Sequence, residues 1–201
     1  MFVSIRVMLS IVMMIFSTLT YSDTLLDAER AFESKDYEKA YRMYSTLGEQ
    51  GNPLAQAYLG YMYENGLGVR EYLKDAYFWY EKSAEQGNGY AQFKLSQAYR
   101  PGSLYRIADE EKALNLLFSA AEDGHARALN NLSVVYADAT LGVSENLVLA
   151  YMYAKLAADR GDLVAKNKLA SNNLPRQMSA SEISAAIELA NSWNVGHRLP
   201  R

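Results

Sequence analysis

The sequence predicts an all-α protein, a solenoid of stacked antiparallel helix hairpins, and three columns of residues predict it. Gly51, Gly87, Gly124 and Gly161 stand 36, 37 and 37 residues apart. Ala40, Ala76, Ala113 and Ala150 keep those intervals, and so do Leu59, Leu95, Leu132 and Leu169. A fixed period of this length marks helical hairpins that cannot bury their apolar sides without a neighbour. Such an array presents a long surface and holds partners rather than doing chemistry.

Residues 1–22 read as an export signal. Met1–Arg6 ends in a positive charge, Val7–Leu19 is apolar apart from Ser10, Ser17 and Thr18, and Thr20-Tyr21-Ser22 places small residues ahead of a cut at Asp23. The apolar run falls short of the ~20 residues a spanning helix needs, and no cysteine follows it to carry a lipid. The expected location is therefore periplasmic or secreted, without stable membrane insertion after cleavage. What remains is long enough for one elongated domain. The formal charge of −3 becomes one unit more negative when Arg6 leaves. That balance offers no broad attraction for nucleic acid or anionic lipid. Zero cysteines exclude disulfide staples and thiolate sites.

A shorter hairpin fills 23–52. Its Asp36-Tyr37-Glu38-Lys39-Ala40 run opens a second helix, and its inter-helix loop is trimmed. Three full units follow, 53–88, 89–125 and 126–162. In the first, Ala55, Leu59 and Tyr63 recur every four residues as one stripe of a helix. Gly60, beside the stripe, becomes Ser96, Ser133 and Ala170, small residues that admit a close neighbour. The second helix is predicted from about Leu73 to Gln86, with Ala76, Tyr80 and Ala84 on one face. Ala84, Ala121 and Ala158 are again 37 apart.

Punctuation supports these boundaries. Gly87, Gly124 and Gly161 stand where second helices stop, suited to the left-handed conformation that ends a helix. Asn52-Pro53 reads as an N-cap with proline at the first helical position. Asp36, Asp109 and Asn146 can cap second helices; Tyr72 breaks that pattern. Asn65-Gly66-Leu67-Gly68-Val69 forms the inter-helix loop, with a trace in Leu141-Gly142-Val143 and an irregular replacement in Arg100-Pro101-Gly102-Ser103-Leu104-Tyr105. The segment 163–201 supplies a first helix over Leu163–Asn173, a break at Pro175, and a last helix. Ser179-Ala180-Ser181-Glu182 is its capping box, and Ile183, Ile187 and Ala190 form the single apolar edge a terminal cap needs.

The pattern Ala55-x-x-x-Leu59-Gly60-x-x-Tyr63, Gly66-x-Gly68-Val69 and Ala76-x-x-Trp79-Tyr80-x-x-x-Ala84-Glu85-Gln86-Gly87 resembles the Sel-one-like repeat family, relatives of the tetratricopeptide repeats. The resemblance covers roughly residues 28–170. It implies a right-handed superhelix that serves as an adaptor for other proteins, often in bacterial envelopes. Cysteine-rich members are linked to binding or hydrolysing β-lactams, and this chain departs from them by lacking every cysteine. Exported members of this size also resemble periplasmic immunity proteins that neutralise secreted antibacterial toxins.

No catalytic set assembles. His125 lies at a repeat-end turn and His197 in the tail, so neither a Cys–His pair nor a histidine-rich metal cluster is available. His125 fills the slot taken elsewhere by Asn52, Asn88 and Asp162, which makes it a cap or turn residue. Asp109-Glu110-Glu111 sits at a helix start, where the dipole favours negative charge. Gly66-Leu67-Gly68 lacks the strand-to-helix setting and lysine of a phosphate loop. Asn131-Leu132-Ser133 matches a glycosylation triplet by chance, since Leu132 is on the packing stripe. Tyr63, Tyr99 and Tyr136 form a column that packs between helices with the hydroxyls at the edge. The expectation is a protein with no enzymatic activity, cofactor or metal.

At 100° per residue, an arc holding positions 55, 59, 60 and 63 leaves 57, 58 and 61 on the other side. In the family the first helices line the concave wall, so this side implies the partner-binding groove. It reads Tyr58 and Tyr61, then Phe93, Lys94 and Gln97, then Asn130, Asn131 and Val134, then Lys168. The two tyrosines and the phenylalanine are expected to be exposed there, as aromatics that capture a peptide or loop.

Overall fold

The computed structural model describes residues 24–103, 107–171 and 174–201. The expected export segment 1–22, Leu104 and Tyr105 of the irregular loop, and Asn173 at the expected end of the last first helix lie outside the described residues. Every regular element among the described residues is helical. The helices are α1 (24–33), α2 (Tyr37–Glu49), α3 (Pro53–Asn65), α4 (Leu73–Glu85), α5 (Gly89–Ala98), α6 (Glu110–Glu122), α7 (Ala126–Ala137), α8 (Leu147–Asp159), α9 (Leu163–Ala170) and α10 (Ala180–Ser192), with a 3₁₀ turn at Pro175–Gln177. Odd-numbered helices α1 to α9 open hairpins and even-numbered α2 to α8 close them.

The chain divides into two compact units, Met1–Trp79 and Tyr80–Arg201, with the boundary inside α4. In the first, α2 packs on α3 around Ala28, Ala40, Tyr44, Leu47, Ala55, Leu59 and Met62, all buried. In the second, each helix from α5 to α9 packs on the next, and α10 covers α8. Leu117, Phe118, Leu129, Leu132, Met152 and Tyr153 lie at that core.

One device recurs at every junction between hairpins. The N–H of Asn52, Asn88, His125 and Asp162 reaches back to the carbonyl of Leu47, Ser83, Ala120 and Ala157 respectively, 3.0–3.2 Å, a closure that satisfies carbonyls orphaned at a helix end. The same four residues then cap the next helix. Their side chains accept from the N–H of Ala55 (2.8 Å), Ala91 (3.0 Å), Ala128 (3.3 Å) and Ala165 (2.8 Å), and each alanine is fully buried. The closure needs a residue with positive φ before the cap, and Gly87 supplies it at +85°. A second device starts the closing helices. Tyr72, Asp109 and Asn146 donate their N–H to the carbonyls of Tyr63, Tyr99 and Tyr136, 2.9–3.0 Å. Asp36, Asp109 and Asn146 also cap α2, α6 and α8 by side chain. Tyr72 therefore keeps the backbone half of the junction.

The side chains of the tyrosine column pack as the spacing predicts. Tyr63 shares a 2.7 Å hydroxyl contact with Tyr41. The Tyr99 hydroxyl accepts from Lys112 Nζ at 2.8 Å, and Tyr136 stacks on Tyr153 at 5.7 Å. The α10 capping box forms, with the Ser179 N–H donating to Glu182 at 2.7 Å and the Glu182 N–H donating to Ser179 Oγ at 3.3 Å.

His125 is the one imidazole among these caps, and its Nδ1 must be unprotonated to accept from Ala128. Burial first, then the Arg127 charge, hold its pKa below the ordinary 6.5, against the pull of Asp162. The unfolded chain takes up this proton first as pH falls. This contribution to stability is therefore complete above about pH 6.5 and declines as pH drops toward the folded value. His125→Asn, the residue used at positions 52 and 88, should keep the cap and flatten the dependence of Tm on pH between 7 and 5. His125→Ala should cost about 1 kcal/mol at pH 7. An unchanged pH profile in His125→Asn would place the dependence elsewhere.

Candidate protein-binding face

The side of the opening helices away from the seams is the place to seek a partner site, and the two units treat it differently. In the first unit α1 lies against it. Phe32 sets its edge on Tyr58 at 5.2 Å and on Tyr61 at 6.0 Å, and Tyr58 stacks flat on Tyr44 at 4.5 Å. Tyr58 and Tyr61 are half-buried. Burial, then the nearby Glu29 and Glu33 carboxylates, push the Tyr58 hydroxyl pKa up, against the lowering effect of a hydrogen bond with Tyr44.

Phe93 requires a correction. It is 5% exposed, with its ring 4.9 Å from that of His125. The expected exposed aromatic cluster is absent as such. The hairpin-end residue of one repeat closes over Phe93, and the first hairpin covers Tyr58 and Tyr61. Helical geometry gives the direction of a side chain but not what the next element lays over it.

The second unit keeps a polar row. Gln97 is exposed, and Lys94, Asn130, Asn131, Val134 and Lys168 are half-buried. Part of the row ties successive opening helices together. Arg100, just past α5, donates to Asn131 Oδ1 on α7 at 3.1 Å, and Lys168 on α9 reaches Ser133 Oγ on α7 at 3.4 Å. Burial lowers the Lys168 pKa while Asp138 opposes it. Among the described residues no donor reaches the buried Asn130 Oδ1. Lys94 Nζ lies 5.8 Å from the centre of the Tyr90 ring.

Sequence reasoning missed two features of the seams. Gly48 belongs to the Ala84, Ala121, Ala158 column, and a Cβ there would come within 2.7 Å of Leu59 Cδ1. Gln56 and Gln92, 36 residues apart, donate from Nε2 to the carbonyls of Gly48 (3.0 Å) and Ala84 (3.4 Å), stitching each opening helix to the closing helix before it. Gly48 was open to detection by extending the Ala84 column one unit toward the N-terminus, and the Gln56–Gln92 pair by aligning the first two full units.

The arrangement offers amides, an ammonium and a guanidinium on a braced backbone. His125 is engaged as a cap, and Asp109 caps α6 with Glu110 and Glu111 in the first turn. Among the described residues no three His, Asp or Glu side chains are grouped to hold a metal ion.

The Sel1 repeat family model matches residues 27–52, 53–88, 89–125 and 126–162. A Sel1 repeat protein from Oxalobacter formigenes is similar at 34% identity and a TM-score of 0.65, over 71% of this chain and 56% of that one. A protective antigen present in uropathogenic Escherichia coli strains, displaying an SLR fold, is similar at 29% identity and a TM-score of 0.64, over 76% of this chain and 32% of that one. This chain thus spans about half and about a third of their lengths. No curated protein matches it. With four matched repeats, recurring junctions and helices packed in sequence order, the chain belongs to the Sel1 repeat family, all-α solenoids of helix hairpins.

Proposed function

We propose that the chain is an exported, non-enzymatic scaffold that works in the periplasm and binds another protein across the opening-helix face of its Sel1 repeats. The Sel1 repeat fold is generally a protein–protein interaction scaffold. Export rests on the pattern of residues 1–22, and N-terminal sequencing of periplasmic protein should begin at Asp23.

The observation that supports the binding reading is the polar row on the second unit's opening helices, where Gln97 is exposed and Lys94, Asn131, Val134 and Lys168 are half-buried. Amides and ammonium groups left partly open there can exchange water for a partner's polar groups. The Arg100–Asn131 and Lys168–Ser133 contacts hold the row rigid, so little ordering entropy opposes binding. The face selects polar and acidic surface.

The test is affinity capture from the envelope fraction followed by mass spectrometry. The Lys94→Glu/Gln97→Glu double variant should lose the wild-type partner by tenfold or more while keeping its helical circular dichroism. A matching change on a closing helix, Glu111→Lys, should leave recovery unaltered. Undiminished capture by the double variant would refute this face as the site.

A further inference from the structure

Charge is sorted between the helices of the second unit. Its opening helices α5, α7 and α9 carry Lys94, Arg127, Lys166 and Lys168 and no aspartate or glutamate. The closing helices α6 and α8 and the covering helix α10 carry Glu110, Glu111, Glu122, Asp159, Glu182 and Glu188 against Lys112 and Lys155. Of these, Lys155 is paired with Asp159 at 2.7 Å. A chain of net charge −3 thus keeps its opening-helix wall positive. The seams are built of alanine, leucine and tyrosine, so packing does not demand this sorting.

The cations of the wall share one side and are held there. Arg127 and Asn131, four residues apart on α7, lie on the same side of the helix. They match Tyr90 and Lys94 one repeat earlier and Val164 and Lys168 one repeat later. Arg127 is exposed, and Lys94 and Lys168 are half-buried. Lys168 Nζ is drawn across to Ser133 Oγ at 3.4 Å, and the Arg100 guanidinium to Asn131 Oδ1 at 3.1 Å. Asn131 is itself fixed, its Nδ2 donating to the Arg127 carbonyl at 3.0 Å. Ser133 and Asn131 are neutral, so these two contacts orient the cations without cancelling their charge. Asp138 acts on Lys168 from the end of α7, and Asp162 commits Oδ1 to the Ala165 N–H.

We propose that this wall binds an extended acidic segment of the partner protein, its carboxylates set on Lys94, Arg100, Arg127 and Lys168. The inference rests on the opening-helix reading above and supplies the partner's chemistry. Neighbouring packed helices stand about 10 Å apart and an extended chain advances about 3.3 Å per residue. Acidic residues at every third position therefore meet successive opening helices. The two arginines can grip a carboxylate through paired N–H groups, which fixes its orientation as well as its charge. Single-stranded nucleic acid is held by stacking bases on aromatics as well as by charge, and Phe93, the phenylalanine of α5, is buried.

The probes are two fluorescein-labelled, end-blocked peptides, Glu-Ser-Gly repeated three times and its Gln-Ser-Gly counterpart, read by fluorescence anisotropy with the full chain. At about 50 mM salt the glutamate peptide should bind at least tenfold more tightly than the glutamine peptide. Salt at about 0.5 M should remove most of that difference by screening. Arg127→Gln/Lys168→Gln should weaken glutamate-peptide binding fivefold or more with its helical circular dichroism unchanged. Lys112→Gln/Lys155→Gln, the same loss of charge from closing helices, should change it less than twofold. Should the first double variant unfold, Arg127→Gln alone, at an exposed position, should weaken binding threefold. Equal binding of the two peptides would overturn the proposal, and so would equal losses from the two double variants. Tighter binding of an oligothymidylate of the same charge would overturn it too, by making the wall a nucleic-acid site. If Lys94→Glu/Gln97→Glu abolishes envelope capture while the two peptides bind alike, the face holds its partner by other chemistry and this inference alone falls.

Discussion

Gly68→Val should destabilise the protein by about 3–4 kcal/mol, in the upper range for a single substitution. Two effects add. Gly68 has a φ of +68°, and a Cβ there would stand 2.2 Å from the Tyr37 carbonyl oxygen and 2.8 Å from the Glu38 nitrogen. The α3–α4 loop rests directly on the first turn of α2, so the obstacle is backbone and cannot rotate aside. Gly87→Val separates the two effects. Its φ is +85° and nothing lies within 4 Å of a Cβ, so only the left-handed strain of about 1–2 kcal/mol applies. Urea melts of the two variants should differ by about 2 kcal/mol. Equal destabilisation would mean that the loop moves off α2 freely, and no shift for Gly87→Val would deny that glycine its terminating role.

Leu132→Ala should cost about 3 kcal/mol, whereas Leu169→Ala should cost about 1 or less. The two leucines share a column, but Leu132 is fully buried in the second unit's core and Leu169 is only half-buried. A cavity penalty requires walls on all sides, and α9 has fewer neighbours than α7, which packs against both α6 and α8. Thermal melts would show the contrast as a difference of several degrees. Comparable losses at both positions would mean that the seam is as complete at the end of the array as in its middle.

Most of the fold was legible because it is periodic. A residue that ends a helix, one that caps the next and one that packs beneath it recur at fixed spacing, and each carries a local physical requirement. Gly87, Asn88 and Ala91 show all three, as do Gly124, His125 and Ala128. The candidate face was less legible. The exposed aromatic row expected of Tyr58, Tyr61 and Phe93 does not form, because Tyr58 stacks on buried Tyr44, Phe32 sets its edge on Tyr58 and Tyr61, and Phe93 joins the second unit's core beside His125. The polar members of the row stay accessible, although Asn131 and Lys168 brace the helices as well.

The packing of residues 193–201 had no periodic signal at all, and nothing local says which surface Leu199 meets. Sequence by itself determined the helices, their caps and the apolar seams, since these depend on neighbours a few residues away or one repeat away. Only the tertiary structure decided which off-seam side chains are covered and where residues 193–201 lie. Burial there depends on elements distant in the chain, such as the 77 residues between Glu122 and Leu199, and no repeat spacing encodes that distance.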